Sequence, residues 1–158
     1  MREAAAPDTA TIGAMLDDFN REYDEPTPGP DALAARVGAL MAGGDTVVLL
    51  GGRRPDAPAG LAVLRFRPAI WSESDECYLA ELYVRPDQRG HGLGRALMLE
   101  AMRTARRRGA DYMDLGTGET DRVARALYES LGFSNTEGRP DGPVNYFYER
   151  DLTDIDPG

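Results

Sequence analysis

The stretch Leu82-Tyr83-Val84-Arg85-Pro86-Asp87-Gln88-Arg89-Gly90-His91-Gly92-Leu93-Gly94-Arg95-Ala96-Leu97 runs from an apolar strand through a glycine-rich turn into a helix. Glycines at 90, 92 and 94 let a ligand approach the backbone closely. They also leave N–H groups unshielded at a helix start, where free donors and the positive end of the helix dipole bind phosphate. Arg89 and Arg95 add charge where a pyrophosphate would sit. Two common phosphate-binding loops do not fit. The dinucleotide fingerprint would require glycine where Arg95 stands, and the P-loop requires a lysine, which this chain lacks altogether.

Just before this stretch lies Glu81. Strict strand alternation puts it on one face with Leu79 and Tyr83, while Tyr78, Ala80, Leu82 and Val84 line the other, so neither face reads as solvated. A carboxylate in such a place has its pKa raised by desolvation, which suits a proton acceptor. Pairing with an arginine such as Arg65 or Arg67 is the equally weighted alternative. Cys77 and His91 are the only cysteine and histidine, so there is no internal disulfide and no cysteine- or histidine-based metal cluster. Cys77 reads as a small core residue, and His91 as a loop residue beside a bound phosphate.

These residues need elements to position them. A short strand at Arg2 to Ala5 precedes a helix from Asp8 to Tyr23, with Ile12, Met15, Leu16 and Phe19 at helical spacing and Asp8 as its cap. Three prolines between Asp24 and Pro30 break that helix, and Asp31 is placed to cap a second one running to about Ala42. Thr46 to Leu50 and Leu61 to Phe66 form a hairpin, and Glu76 to Val84 is a third strong strand. The helix Leu93 to Arg108 follows, with Leu97, Met98, Ala101, Met102 and Ala105 on its apolar face. Tyr112 to Leu115 is a short strand, Arg122 to Leu131 a helix capped by Asp121 and stopped by Gly132, and Val144 to Leu152 a last strand. The order predicts a single α/β domain over residues 1–158, with a mixed, mostly antiparallel central sheet of about seven strands flanked by about four helices.

The chain has 158 residues, 42% of them hydrophobic and 28% charged, which is ordinary for one globular domain. Its net charge of −9 disfavours nucleic acid and mildly favours a cationic partner. No apolar run approaches the roughly 20 residues of a membrane span. The opening residues Met1 to Pro7 lack the apolar core of a secretory leader, so the expected location is the cytoplasm. Trp71 and Tyr78 are candidates to line an acceptor pocket. Asp17, Asp18, Glu22, Asp24 and Glu25 could attract a cationic acceptor or simply form a solvated acidic face.

The run Arg89-Gly90-His91-Gly92-Leu93-Gly94 resembles the acyl-CoA pyrophosphate loop of the GNAT superfamily of N-acetyltransferases: glutamine or arginine, two residues, glycine, one residue, then glycine or alanine. Leu82-Tyr83-Val84-Arg85-Pro86 resembles the end of that family's fourth strand. The run Leu127-Tyr128-Glu129-Ser130-Leu131-Gly132-Phe133, with Asp121 and Ala124 before it, resembles the helix and turn after the fifth strand, although the family commonly has asparagine where Asp121 stands. Tyr148 to Leu152 resembles the closing strand.

The resemblance implies acetyl-CoA as co-substrate, no metal, and direct attack by a primary amine, from a small molecule or a peptide, on the thioester. Under it, Leu82, Tyr83 and Val84 hold the pantetheine arm and polarise the carbonyl. Arg89, Gly90, His91, Gly92, Leu93, Gly94 and Arg95 hold the pyrophosphate, and Asp121 lies near the thiol end. Tyr128 protonates the departing thiolate and Glu81 takes the amine proton. Family members often pair as dimers. The alternatives are an acyl-CoA-binding regulatory module without activity, and a transferase that uses another acyl-CoA or acts on a protein N-terminus.

Overall fold

Five strands form one sheet in the order β1-β2-β3-β4-β5 in the computed structural model, which describes residues 1–153 and 155. They are β1 (Arg2–Glu3), β2 (Thr46–Gly51), β3 (Gly60–Pro68), β4 (Asp75–Val84) and β5 (Ala110–Leu115). Neighbours from β1 to β4 are antiparallel, and β4 pairs with β5 in parallel. The helices are α1 (Thr9–Glu22), α2 (Pro30–Ala42), α3 (Leu93–Arg107) and α4 (Arg122–Ser130). The chain divides into two units, Met1–Leu115, which holds the whole sheet with α1 to α3, and Gly116–Gly158, which holds α4.

In the first unit the two sheet faces are covered by different helices. Val48, Leu50, Leu61, Val63 and Tyr83 pack against Ile12 and Met15 of α1 and Val37 of α2. The alternate residues Leu49, Ala62 and Leu64 point the other way, towards Leu97, Met98 and Ala101 of α3, all 2% exposed or less. Leu97 and Leu93 of α3 approach Gly60 and Gly51, which face each other across the β2–β3 ladder. Where α1 crosses α2, a Cβ on Gly13 would meet the Pro30 carbonyl and, at 2.7 Å, the Ala34 nitrogen, so only glycine lets the two helices lie this close.

Burying a large aliphatic side chain contributes about 1.5–3 kcal/mol. The α1–α2 pair therefore settles where the sheet face is apolar. That cover ends along β3 at Val63, because Arg65 and Arg67 follow on the same face and both are exposed.

The structure corrects several expectations. The sheet has five strands rather than about seven, and none forms at 144–152 among the described residues. There the apolar residues Tyr146, Phe147 and Tyr148 are consecutive rather than alternating, all at least 72% exposed, and they follow the breakers Gly138, Pro140, Gly142 and Pro143. Asp8 does not cap α1. Its carboxylate is clamped by both terminal nitrogens of Arg2 at 2.7 Å and by the Ala5 N–H at 2.8 Å, which holds its pKa down at about 2. Asp31 lies inside the first turn of α2, whose cap position is Gly29 at φ 94°. Asp121, in contrast, caps α4 as expected, accepting from the Ala124 N–H at 3.1 Å.

Candidate functional site

The site is built on an irregularity in β4. Val63 stands opposite Glu81, yet the next residue of β3, Leu64, stands opposite Leu79, so Ala80 is an extra residue in β4. Cross-strand partners share a face, so the bulge resets the alternation. Glu81 joins Val63 and Tyr83 on the α1–α2 face, while Leu79 joins Leu64 on the α3 face. Strict alternation had placed Leu79 and Glu81 together, and the extra residue separates them.

The carboxylate thus brought to this face has no ion pair or hydrogen bond among the described residues. Arg67 does not take it, since its guanidinium binds Glu76 at 2.7 Å and lies 3.9 Å from Asp114. Arg65 makes no side-chain ion pair or hydrogen bond among the described residues either. Burial alone, uncompensated by a cation, pushes the Glu81 pKa above the ordinary carboxylate range.

The ladder between β4 and β5 ends at Leu79 and Leu115. From Ala80 to Val84, β4 keeps β3 on one side and has no strand on the other among the described residues. The Arg85 N–H donates to the Ala59 carbonyl at 2.8 Å on the β3 side. Counting back by the alternation of an antiparallel pair directs the N–H groups of Leu82 and Val84 towards the open edge.

Beyond β4 the chain makes a short 3-10 turn, Pro86–Gln88, and reaches the glycine loop. Gly90 and Gly92 have φ of 76° and 80°, a left-handed backbone that side chains resist, and a Cβ on either would meet nothing within 4 Å. Gly92 occupies the cap position of α3 without any side-chain cap. Among the described residues, no hydrogen bond uses the N–H groups of His91, Gly92, Leu93 or Gly94. Several donors thus converge at the positive end of a helix of 15 residues, an arrangement of backbone groups that suits an anion. His91 and Arg95 are exposed beside it, and Leu93 is half-buried.

Arg89 is differently engaged. Its terminal nitrogens bind both oxygens of Glu22 at 2.6 Å and its Nε donates to the Val84 carbonyl at 2.9 Å. The guanidinium also lies 5.9 Å from the centre of the Tyr83 ring, which in turn packs 5.3 Å from Phe19. Arg89 ties the glycine loop to the end of α1, and hydrogen bonding to it holds the Glu22 carboxyl below its usual range. Sequence reading placed Glu22 only in an acidic cluster and did not find this partner, since nothing in its local spacing points 67 residues along the chain.

In the second unit, Tyr128 is 9% exposed on α4, its ring edge-on to Phe133 at 6.1 Å. Its hydroxyl makes no hydrogen bond among the described residues. Burial, with a smaller contribution from the Asp121 charge, pushes its pKa up to about 12. Cys77 is fully buried and its thiol is pushed up to about 11, as fits a core residue. Trp71 stands 95% exposed on the β3–β4 connection.

The strand end at Leu82–Val84 does run into a glycine loop with unused N–H groups at a helix start, in the order the sequence resemblance calls for. The family model for the GNAT acetyltransferase family matches residues 12–133. The chain belongs to that family. Among its GNAT relatives, the mycothiol acetyltransferase of Thermobispora bispora is 36% identical over 121 residues, 75% of this chain and 35% of the relative. This chain therefore spans about a third of that protein's length. The ribosomal protein bS18 alanine N-acetyltransferase of Escherichia coli is 36% identical over 80 residues, 44% of this chain and 54% of the relative. A crystal structure of a candidate acetyltransferase from Arthrobacter sp. FB24 is 46% identical, covers 94% of both chains and superposes with a TM-score of 0.83.

Proposed function

We propose that this GNAT protein is an N-acetyltransferase that moves the acetyl group of acetyl-CoA onto a primary amine. The observation that carries the reading is the unpartnered Glu81 carboxylate, brought by the Ala80 bulge beside a strand edge that leads into an anion-binding helix start. Acetyl-CoA fits the residues present. The free N–H groups from His91 to Gly94 suit its pyrophosphate, and the open edge at Leu82 and Val84 suits the amide-rich pantetheine arm. When bound it supplies an activated acyl group. The acceptor enters as an ammonium, whose solution pKa is near 10.4 if it is lysine-like, so a proton must be removed first. Glu81 takes that proton directly or through water, its raised pKa making it a better base than an ordinary carboxylate.

The nitrogen lone pair then forms the N–C bond while the C–S bond breaks, and the electron pair leaves on sulfur. N–H groups at the strand edge stabilise charge on the carbonyl oxygen. Tyr128 gives the departing sulfur a proton and regains one from the acylated nitrogen, so the products are an amide and a neutral thiol. A hydroxyl with a pKa near 12 stays protonated at every working pH, as this role requires. In this reading residues 1–158 act as one domain and Asp121 serves the thiol end through the start of α4.

Calorimetric titration with acetyl-CoA, followed by a free-thiol assay against a panel of amines, tests the proposal. Binding with amine-dependent thiol release supports it. Binding without release from any amine would favour a regulatory module, and no binding would end the reading altogether.

A further inference from the structure

The sheet face that carries Glu81 continues past the α1–α2 cover as an open polar floor. The register builds it row by row. Val63 pairs with Glu81, then Arg65 with Tyr78 and Tyr78 with Asp114, then Arg67 with Glu76. The Arg67–Glu76 ion pair at 2.7 Å, with Asp114 at 3.9 Å, shows that these side chains do share one face. Arg67 and Glu76 neutralise each other. Beyond that pair and the nearby Asp114, the exposed guanidinium of Arg65 and the half-buried carboxylate of Glu81 stand in adjacent rows without a partner among the described residues.

Resting on the acetyltransferase reading above, we infer that Arg65 and Glu81 together select an acceptor that carries a carboxylate close to its amine, the chemistry of a free α-amino acid. Residues diagonal across an antiparallel pair are roughly 7–8 Å apart. Both side chains stand on one face in neighbouring rows, so an acceptor that carries its amine and its carboxylate close together can meet both. The ammonium goes to Glu81, which takes its proton directly or through water, and the carboxylate goes to Arg65. Guanidinium suits this role because its planar donors match a carboxylate with two parallel hydrogen bonds.

Rival acceptors fit the floor less well. A polyamine presents a second cation where Arg65 stands and gains nothing from its guanidinium. A protein N-terminus has an amide where the amino acid has its carboxylate, and gains nothing from Arg65. The bond-forming step is the one already described, with the amide nitrogen now part of an N-acetylamino acid.

The test is a free-thiol assay with acetyl-CoA and three matched series: free amino acids, their amides and their decarboxylated amines, with spermidine added. At least one free amino acid should be accepted, and its amide and amine should fall by about tenfold or more in kcat/KM, the usual loss when a charge-assisted hydrogen bond is removed. Arg65→Ala should bring the free acid down to the level of its amide, and Arg65→Lys should restore part of the difference. Calorimetry with acetyl-CoA reports that each variant is folded. Equal rates for acid and amide, spermidine as the best acceptor, or acetyl-CoA binding with no amino acid accepted would each overturn the inference and leave the enzyme reading standing. Failure of the wild-type protein to bind acetyl-CoA would bring down both.

Discussion

In the proposed mechanism Glu81 and Tyr128 carry opposite proton tasks, and burial shifts each in the direction its task needs. Desolvation raises both pKa values, turning the carboxylate into a stronger base and keeping the phenol protonated. A base works only when ionised, so the rate should rise with pH through the Glu81 pKa. Glu81→Gln should remove that limb and lower kcat/KM by about 10²-fold or more. The same change should stabilise the fold at neutral pH. An acid whose folded pKa lies above its unfolded value penalises the folded state once it ionises, and this cost grows as pH rises through the folded value. Lower activity together with higher thermal stability is a signature that loss of a structural carboxylate would not give, and a variant less stable than wild type would sink this account of Glu81. Tyr128→Phe should lower turnover by about 10²-fold while leaving acetyl-CoA affinity close to wild type. The lost hydroxyl has no hydrogen bond among the described residues, so stability should hold. Unchanged turnover would take Tyr128 out of the mechanism.

At the scale of elements, the glycine loop in the proposed reading works through its backbone. Gly92→Val places a β-branched residue at φ 80°, a conformation that costs an L-residue about 1–2 kcal/mol, and screens the donors that follow. Acetyl-CoA affinity should fall beyond detection in a calorimetric titration while the far-ultraviolet spectrum of the fold persists. Undiminished affinity would move the pyrophosphate elsewhere. The turn and the helix start after it were legible in the sequence because the glycine spacing and the apolar repeat that follows are local. So were α3, with its four-residue repeat of Leu93, Leu97, Ala101 and Ala105, and the Asp121 cap of α4. What escaped was non-local. The extra residue at Ala80 appears only in the register with β3, the partner of Glu22 lies far along the chain, and Asp8 is drawn from its capping role by Arg2. The strand expected at 144–152 failed for a related reason, since a strand needs a neighbour as well as a composition.

Across the whole molecule the charge is −9 and every one of the 18 basic residues is arginine. Acetyl-CoA, the proposed co-substrate, is itself a polyanion, so the protein's overall field would oppose its approach, while the donors proposed to hold it act only at contact range. Added salt screens the first effect, with a Debye length of about 10 Å at 0.1 M. The association rate constant for acetyl-CoA should therefore rise as salt is raised from low levels to about 0.1 M in a stopped-flow experiment. A steep fall would reveal a basic funnel that outweighs the net charge.

The place where β4 parts from β5 also sets a clock. Up to Leu79 the amides of β4 sit between two strands, but beyond it Leu82 and Val84 direct theirs to an edge that no strand occupies, while Tyr83 between them faces β3. In deuterated water the strand should take up label in alternation, the outer two quickly and the inner one slowly. Saturating acetyl-CoA should slow the outer two by at least about tenfold, as expected when a free donor acquires a hydrogen bond. If residue-resolved exchange shows no such slowing, the substrate does not lie along that edge.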